Sequence, residues 1–136
     1  MPAPQEVAVK TFEKTIGTSK SFDEAVAAVE KKTAEKGFQV LYIHDIAATL
    51  TAKGFAREPL KIIEVCNANY ASQALDKDVK LALMMPCPIS VYVQGGKTQI
   101  STMLPTSIVE FFPKAGIEKT AAEMEKGVLA IVAEAK

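Results

Sequence analysis

Residues 87–104 read CPISVYVQGGKTQISTML, and this segment predicts a β-hairpin with a defined register. Gly95-Gly96 is a two-residue turn that hairpins favour. Placing Gln94 opposite Lys97 divides the flanking residues between two faces, because side chains alternate along a strand. The core face is then Cys87, Ile89, Val91, Val93, Thr98, Ile100, Thr102 and Leu104. The other face carries Ser90, Tyr92, Gln99 and Ser101.

Three further strands are predicted upstream of the hairpin. Residues 6–16 are rich in Val, Thr, Ile and Phe, and Gly17 is expected to end this first strand. Phe38–His44 and Leu60–Cys66 are dense in branched and aromatic residues and predict the second and third strands. With the hairpin, these segments make five strands.

Two long amphipathic helices are predicted near the ends of the chain. The first begins at a capping box formed by Ser21 and Glu24 and ends at Gly37. Asp45 and Asn67 are suited to cap two shorter helices. The last helix is indicated by an apolar stripe at helical spacing: Ile117, Ala121, Met124, Val128, Ile131, Val132 and Ala135.

This order of elements predicts the α+β class. Strands follow one another without strict alternation with helices, which favours a mostly antiparallel five-stranded sheet. Both long helices are expected on one face of that sheet. No repeat or linker divides the chain, so residues 1–136 are predicted to form a single domain. The opposite face of the sheet must then meet water or a partner.

Composition excludes several classes of protein. Lys plus Arg is 16 and Asp plus Glu is 16, and a net charge of zero argues against nucleic-acid binding. No apolar run approaches the ~18 residues that suggest a membrane helix. Residues 1–6 carry no basic segment followed by an apolar one, which favours a cytoplasmic location. Two cysteines do not make a disulfide scaffold.

The two cysteines mark the candidate site. Cys66 closes the third predicted strand and Cys87 opens the fourth, so antiparallel pairing should bring them to one edge of the sheet, with α-carbons within about 8 Å. Cys66 precedes a helix start, where the helix dipole is expected to lower the pKa of the thiol. Glu64, Asn67 and Met85 are the residues expected around the pair.

Three interpretations of the cysteines stay open. Buried cysteines often pack as small apolar side chains, and the hairpin register puts Cys87 on the core face. Thiol chemistry is the second interpretation. A soft-metal site is the third, because Cys with Met suits Cu(I) and Met84 lies beside Met85. Two thiols are too few for a closed zinc site, and His44, the sole histidine, is interpreted as structural.

The cysteine segments resemble the domain-of-unknown-function family 302 (DUF302). The resemblance runs from residues 18–24, through Val65-Cys66-Asn67, to Met85-Pro86-Cys87 and the Gly96-Lys97 turn. It implies a β-α-β(4)-α architecture similar to TATA-binding-protein-like folds, and a homodimer. It implies no reaction and no DNA binding, because function does not follow from fold.

Two functional hypotheses follow. The first is a thiol site, with Cys66 as the more reactive sulfur and Cys87 as its partner, serving redox relay, sulfur transfer or soft-metal handling. The alternative is a non-catalytic homodimer that binds a small ligand, with structural cysteines. The sequence identifies no cofactor and leaves open whether the protein is an enzyme.

Overall fold

The strands and helices follow the predicted order along residues 11–136, the part of the chain that the computed structural model describes. The strands are β1 (Glu13–Thr18), β2 (Gln39–Asp45), β3 (Leu60–Cys66), β4 (Cys87–Gln94) and β5 (Lys97–Met103). The helices are α1 (Phe22–Glu35), α2 (Ile46–Ala52), α3 (Ala68–Lys77) and α4 (Glu118–Ala135). Two 3₁₀ segments, Val79–Met84 and Pro105–Phe111, flank the hairpin.

The five strands form one antiparallel sheet in the order β1-β5-β4-β3-β2. The predicted hairpin register is confirmed from Gln94 opposite Lys97 to Ile89 opposite Thr102. It does not extend to Cys87 and Leu104, because β5 ends at Met103. The Leu104 amide instead donates a hydrogen bond to the Phe12 carbonyl (2.7 Å).

Both long helices pack on one face of the sheet, here called the closed face, as predicted. Its core joins the inward residues of the strands to the apolar stripes of α1 and α4. The largest fully buried members are Val29, Ile63, Val65, Ile89, Val91, Ile100, Val128, Ile131 and Val132. Gly127 lets α4 approach closely, because a Cβ there would lie 2.5 Å from the buried Phe38 ring.

A smaller apolar cluster closes one end of the sheet. It brings together Ala74 of α3, Leu81 of the first 3₁₀ segment and Ile117 at the start of α4. The apolar run at residues 79–85 consists of the first 3₁₀ segment and Met85, the residue that follows it. The Met85–Pro86 peptide bond that follows is cis.

Both edge strands are less regular than a plain strand pattern, and one prediction for them needs correction. The first strand does not end at Gly17, because β1 continues to Thr18. A Cβ atom added at Gly17 would lie 3.6 Å from the Gln99 side chain, which is an ordinary contact distance. The predicted residues 6–10 of that strand lie outside the described residues. In β2 a bulge at Leu41 shifts the register. Tyr42 therefore faces away from the core and lies opposite Glu64.

The other face of the sheet, here called the open face, carries no long helix. One row of it takes a residue from each strand: Thr15, Ser101, Ser90, Ile62 and His44. All of these except Ile62 are polar. Within residues 11–136, no helix is both long and apolar enough to cross a membrane.

Candidate functional site

Cys87 lies in the core beneath α4. Its side chain is 6% exposed, and its thiol donates to the thioether sulfur of Met124 (Sγ–Sδ 3.5 Å). Burial raises the pKa of the Cys87 thiol to about 11, with a smaller contribution from the Cys66 thiol. At neutral pH Cys87 is therefore a protonated, poorly accessible thiol.

Cys66 lies beside Cys87 along the backbone but points to the other face. Cys87 is opposite Val65, so the register brings the two strand ends together as expected. Successive side chains of a strand point to opposite faces, so Cys66 shares the open face with Glu64. Both thiols are free. Because the two side chains point to opposite faces, their Cβ atoms do not reach the separation of roughly 3.5–4.5 Å that a disulfide needs.

The expectation that the helix start lowers the pKa of Cys66 is wrong. Partial burial raises the pKa of this thiol. The free amides at the start of α3 are taken by Asn67, whose Oδ1 accepts hydrogen bonds from the amides of Asn69 (3.0 Å) and Tyr70 (3.3 Å). The Asn67 amide nitrogen donates to the Gly37 carbonyl (3.3 Å). Asn67 therefore joins α3 to the turn before β2.

Glu64 bonds with the histidine rather than with a thiol. The Glu64 carboxylate accepts a hydrogen bond from Nε2 of His44 (2.8 Å) on the open face. The Tyr42 ring lies against the imidazole, with centroids 4.7 Å apart. Both side chains are partly exposed, at 41% for His44 and 30% for Glu64. Met85, the remaining predicted residue, lines a small cavity with Cys87.

A hydroxyl chain crosses the other half of the open face. Tyr92 OH lies 2.8 Å from Ser101 Oγ, which lies 2.7 Å from Thr15 Oγ1. The Thr15 hydroxyl donates a short hydrogen bond to the Glu13 carboxylate. Because Thr15 gives its one proton to Glu13, Ser101 must donate to Thr15 and Tyr92 to Ser101. The direction of the chain is thus fixed from Tyr92 to Glu13.

The hydroxyl chain lies in a groove of about 1030 Å³, here called the open-face groove. Its apolar wall contains Phe12, Leu60, Pro88, Val93 and Met103, and Arg57 and Glu58 form one rim. That rim is tied to the hairpin turn, because the Glu58 carboxylate accepts hydrogen bonds from the amides of Gly95 (3.3 Å) and Gly96 (3.5 Å). A groove that combines an apolar wall with a few oriented polar groups is typical of small-molecule sites.

The comparisons with known proteins agree with this fold. The sequence pattern of the domain of unknown function DUF302 matches residues 13–135. The chain belongs to the DUF302 family. A crystal structure of an uncharacterized conserved DUF302 protein from Bacillus stearothermophilus is similar to it, with a TM-score of 0.88 and 27% identity. The similarity covers 93% of this chain and 100% of that one. No curated protein matches this DUF302 chain.

The structure splits the predicted site and adds residues to it. Cys66 and Glu64 lie on the open face, Cys87 and Met85 lie on the closed side, and Asn67 is a helix cap. Within residues 11–136, no three His, Cys, Asp or Glu side chains cluster as metal ligands. The hairpin alternation indicated the outward Tyr92 and Ser101. Thr15 and Glu13 were missed because no local pattern shows that β1 pairs with β5.

Proposed function

We propose that this protein is a non-catalytic binding module that holds a small organic molecule in the open-face groove. The observation that carries the proposal is the ordered hydroxyl chain on the floor of this groove. Such a chain holds each hydroxyl in one orientation, and preorganised polar groups reduce the cost of binding. The apolar wall supplies burial for the rest of the ligand.

The direction of the hydroxyl chain defines the polar end of the ligand. Tyr92 donates its proton to Ser101, so its phenol oxygen is left as an acceptor. The chain ends at the Glu13 carboxylate, which is also an acceptor. The preferred ligand therefore carries a hydrogen-bond donor, such as an amine or alcohol, next to an apolar body that packs on Leu60 and Pro88.

The redox and sulfur-transfer branches of the thiol hypothesis have less support. Both reactions need a thiolate, and burial raises the pKa of Cys66 and of Cys87. The two side chains lie on opposite faces of the sheet. The Cys87 thiol contacts the Met124 thioether.

A fragment screen by two-dimensional NMR tests the proposal. The probes are small primary amines and alcohols with an apolar body, at about millimolar concentration, where the weakest specific ligands bind. We expect shift changes centred on Thr15, Tyr92 and Ser101, and we expect Ser101→Ala to abolish them. Thr98→Val, which removes a hydroxyl on the closed face of the same strand, is the matched control and should retain binding.

Two results would contradict this proposal. One is a screen in which no amine or alcohol shifts the signals of the open-face groove. The other is a set of shifts that survives Ser101→Ala unchanged. The melting temperature of each variant must be checked first, so that loss of binding is not mistaken for unfolding.

Dimerisation and location remain proposals. We infer that two copies associate through the β2 side of the open face, where Leu41 is 50% exposed and Tyr42 is 61% exposed. Sedimentation equilibrium at micromolar concentration should give twice the mass of 14.6 kDa. Only monomer in that experiment would reject the dimer. A cytoplasmic location is tested by fractionation of cells that express the full chain.

A further inference from the structure

A small cavity of about 30 Å³ lies between the start of β4 and helix α4, and five of its twelve lining residues carry sulfur. Cys87 contributes a thiol, and Met84, Met85, Met103 and Met124 contribute thioethers. These are four of the five methionines in the chain. We call this space the sulfur cavity. Met103 also lines the open-face groove proposed above as the ligand site, whereas Cys87 and Met124 line the sulfur cavity and not that groove.

Two of the sulfurs are already near the spacing that a shared metal ion requires. Cys87 Sγ and Met124 Sδ lie 3.5 Å apart. With metal–sulfur bonds of about 2.3 Å, two ligands of a planar three-ligand site lie about 4.0 Å apart. The pair therefore needs to separate by only about half an ångström. Methionine side chains adjust by that amount easily, because they have several rotatable bonds.

The charge balance of the cavity selects a monovalent ion. Its only ionisable ligand is the Cys87 thiol, and the other lining side chains are apolar or neutral. One thiolate with one monovalent cation is neutral overall, which suits a buried apolar space. A divalent ion would leave a net charge there, and burying an unpaired charge is costly. Thioether ligands also favour Cu(I) over zinc.

We propose that the sulfur cavity binds one Cu(I) ion through the Cys87 thiolate and the Met124 thioether, with Met85 or Met103 as a third ligand. Binding forms a copper–sulfur bond as the Cys87 S–H bond breaks, and the proton leaves to solvent, so no electron is transferred.

The lining also offers an entry path. Met84 and Met103 line both the sulfur cavity and an open groove of about 630 Å³ at the end of the sheet. Phe12 and Phe111 form the apolar sides of that groove. An ion delivered there meets thioethers before it meets the thiol. Thioethers are among the soft ligands that Cu(I) prefers.

Anaerobic titration with Cu(I), in competition with a chromogenic Cu(I) chelator, tests the proposal on the full chain. We expect one ion per chain. Met124→Leu keeps the apolar volume but removes the sulfur, and it should weaken Cu(I) binding about tenfold or more. Cys87→Ala should abolish tight binding. Cys66→Ser removes the only other thiol in the chain and is the matched control, which should bind as the wild type does.

The variants also separate coordination from packing. A melting curve of each metal-free variant establishes whether it is folded. If Cys87→Ala does not fold, Met124→Leu still tests the proposal. Copper absorption edge spectra should show sulfur ligands in the wild type. The proposal is overturned if Met124→Leu and the wild type bind Cu(I) equally, or if binding is lost in Cys66→Ser. Equal binding would leave the methionines as packing residues.

Discussion

The two faces of the sheet are built from alternate residues of the same strands, yet they differ in chemistry. Ile89 on the closed face is fully buried among apolar side chains, whereas its neighbour Ser90 lines the open-face groove. Among residues 11–136, the hydroxyl chain from Tyr92 to Glu13 lies on the open face, and the larger apolar core cluster lies on the closed face. We infer that the closed face supplies most of the stability, so that the open face can carry polar groups for recognition.

The largest expected effect is a charge placed in the closed-face core. Val128 is fully buried in the middle of α4. Val128→Asp should unfold the protein, because an unpaired buried charge costs several kcal/mol against a total stability of about 5–15 kcal/mol. Ala122→Asp introduces the same charge at an exposed position of α4 and should leave the melting curve nearly unchanged. A normal melting curve for Val128→Asp would contradict the role assigned to this face.

Neighbouring residues of β4 give the sharpest test of the comparison. Ile89→Ala should destabilise the protein by about 2–5 kcal/mol, because it leaves a cavity in the core. Ser90→Ala should change the free energy of unfolding by less than about 0.5 kcal/mol. Urea denaturation of both variants measures the two values. Similar values would show that the two faces contribute equally to stability.

Alkaline pH should weaken the metal-free protein through Cys87. The pKa of this thiol is about 11 in the folded state, against 9.0 as its ordinary value. The unfolded chain loses its proton first, so this contribution is complete below pH 9 and falls as pH rises towards 11. The loss is about 2–3 kcal/mol at most. Urea denaturation across this range should show a steeper fall in the wild type than in Cys87→Ala, and equal slopes would contradict the assignment.

The smallest predicted difference lies between the two thiols. Cys66 is half-buried on the open face, whereas Cys87 is buried. Iodoacetamide should therefore modify Cys66 at least about tenfold faster than Cys87 in the folded protein. Peptide mass spectrometry after short exposure measures both rates. After denaturation the two rates should converge, and equal rates in the folded protein would show that Cys87 is accessible.

Local sequence determined most of the secondary structure. The Gly95-Gly96 turn and the alternation around it fixed the hairpin register, because a slip of one residue would expose every core side chain. Capping residues at Ser21, Asp45 and Asn67 marked the starts of three helices, and each side chain accepts a backbone hydrogen bond there. The two long helices and the five antiparallel strands followed from these signals.

Tertiary structure decided the chemistry of both sites. Strand adjacency suggested a thiol pair, but the pleat of the sheet sends Cys66 and Cys87 to opposite faces. The bulge at Leu41 turned Tyr42 outward, which no alternation rule could show. The hydroxyl chain exists because β1 pairs with β5, and the sulfur cavity exists because Met124 packs over Cys87. Contacts between residues that are distant in sequence depend on how the strands and helices pack against one another. A local sequence pattern contains information about its own segment and not about that packing.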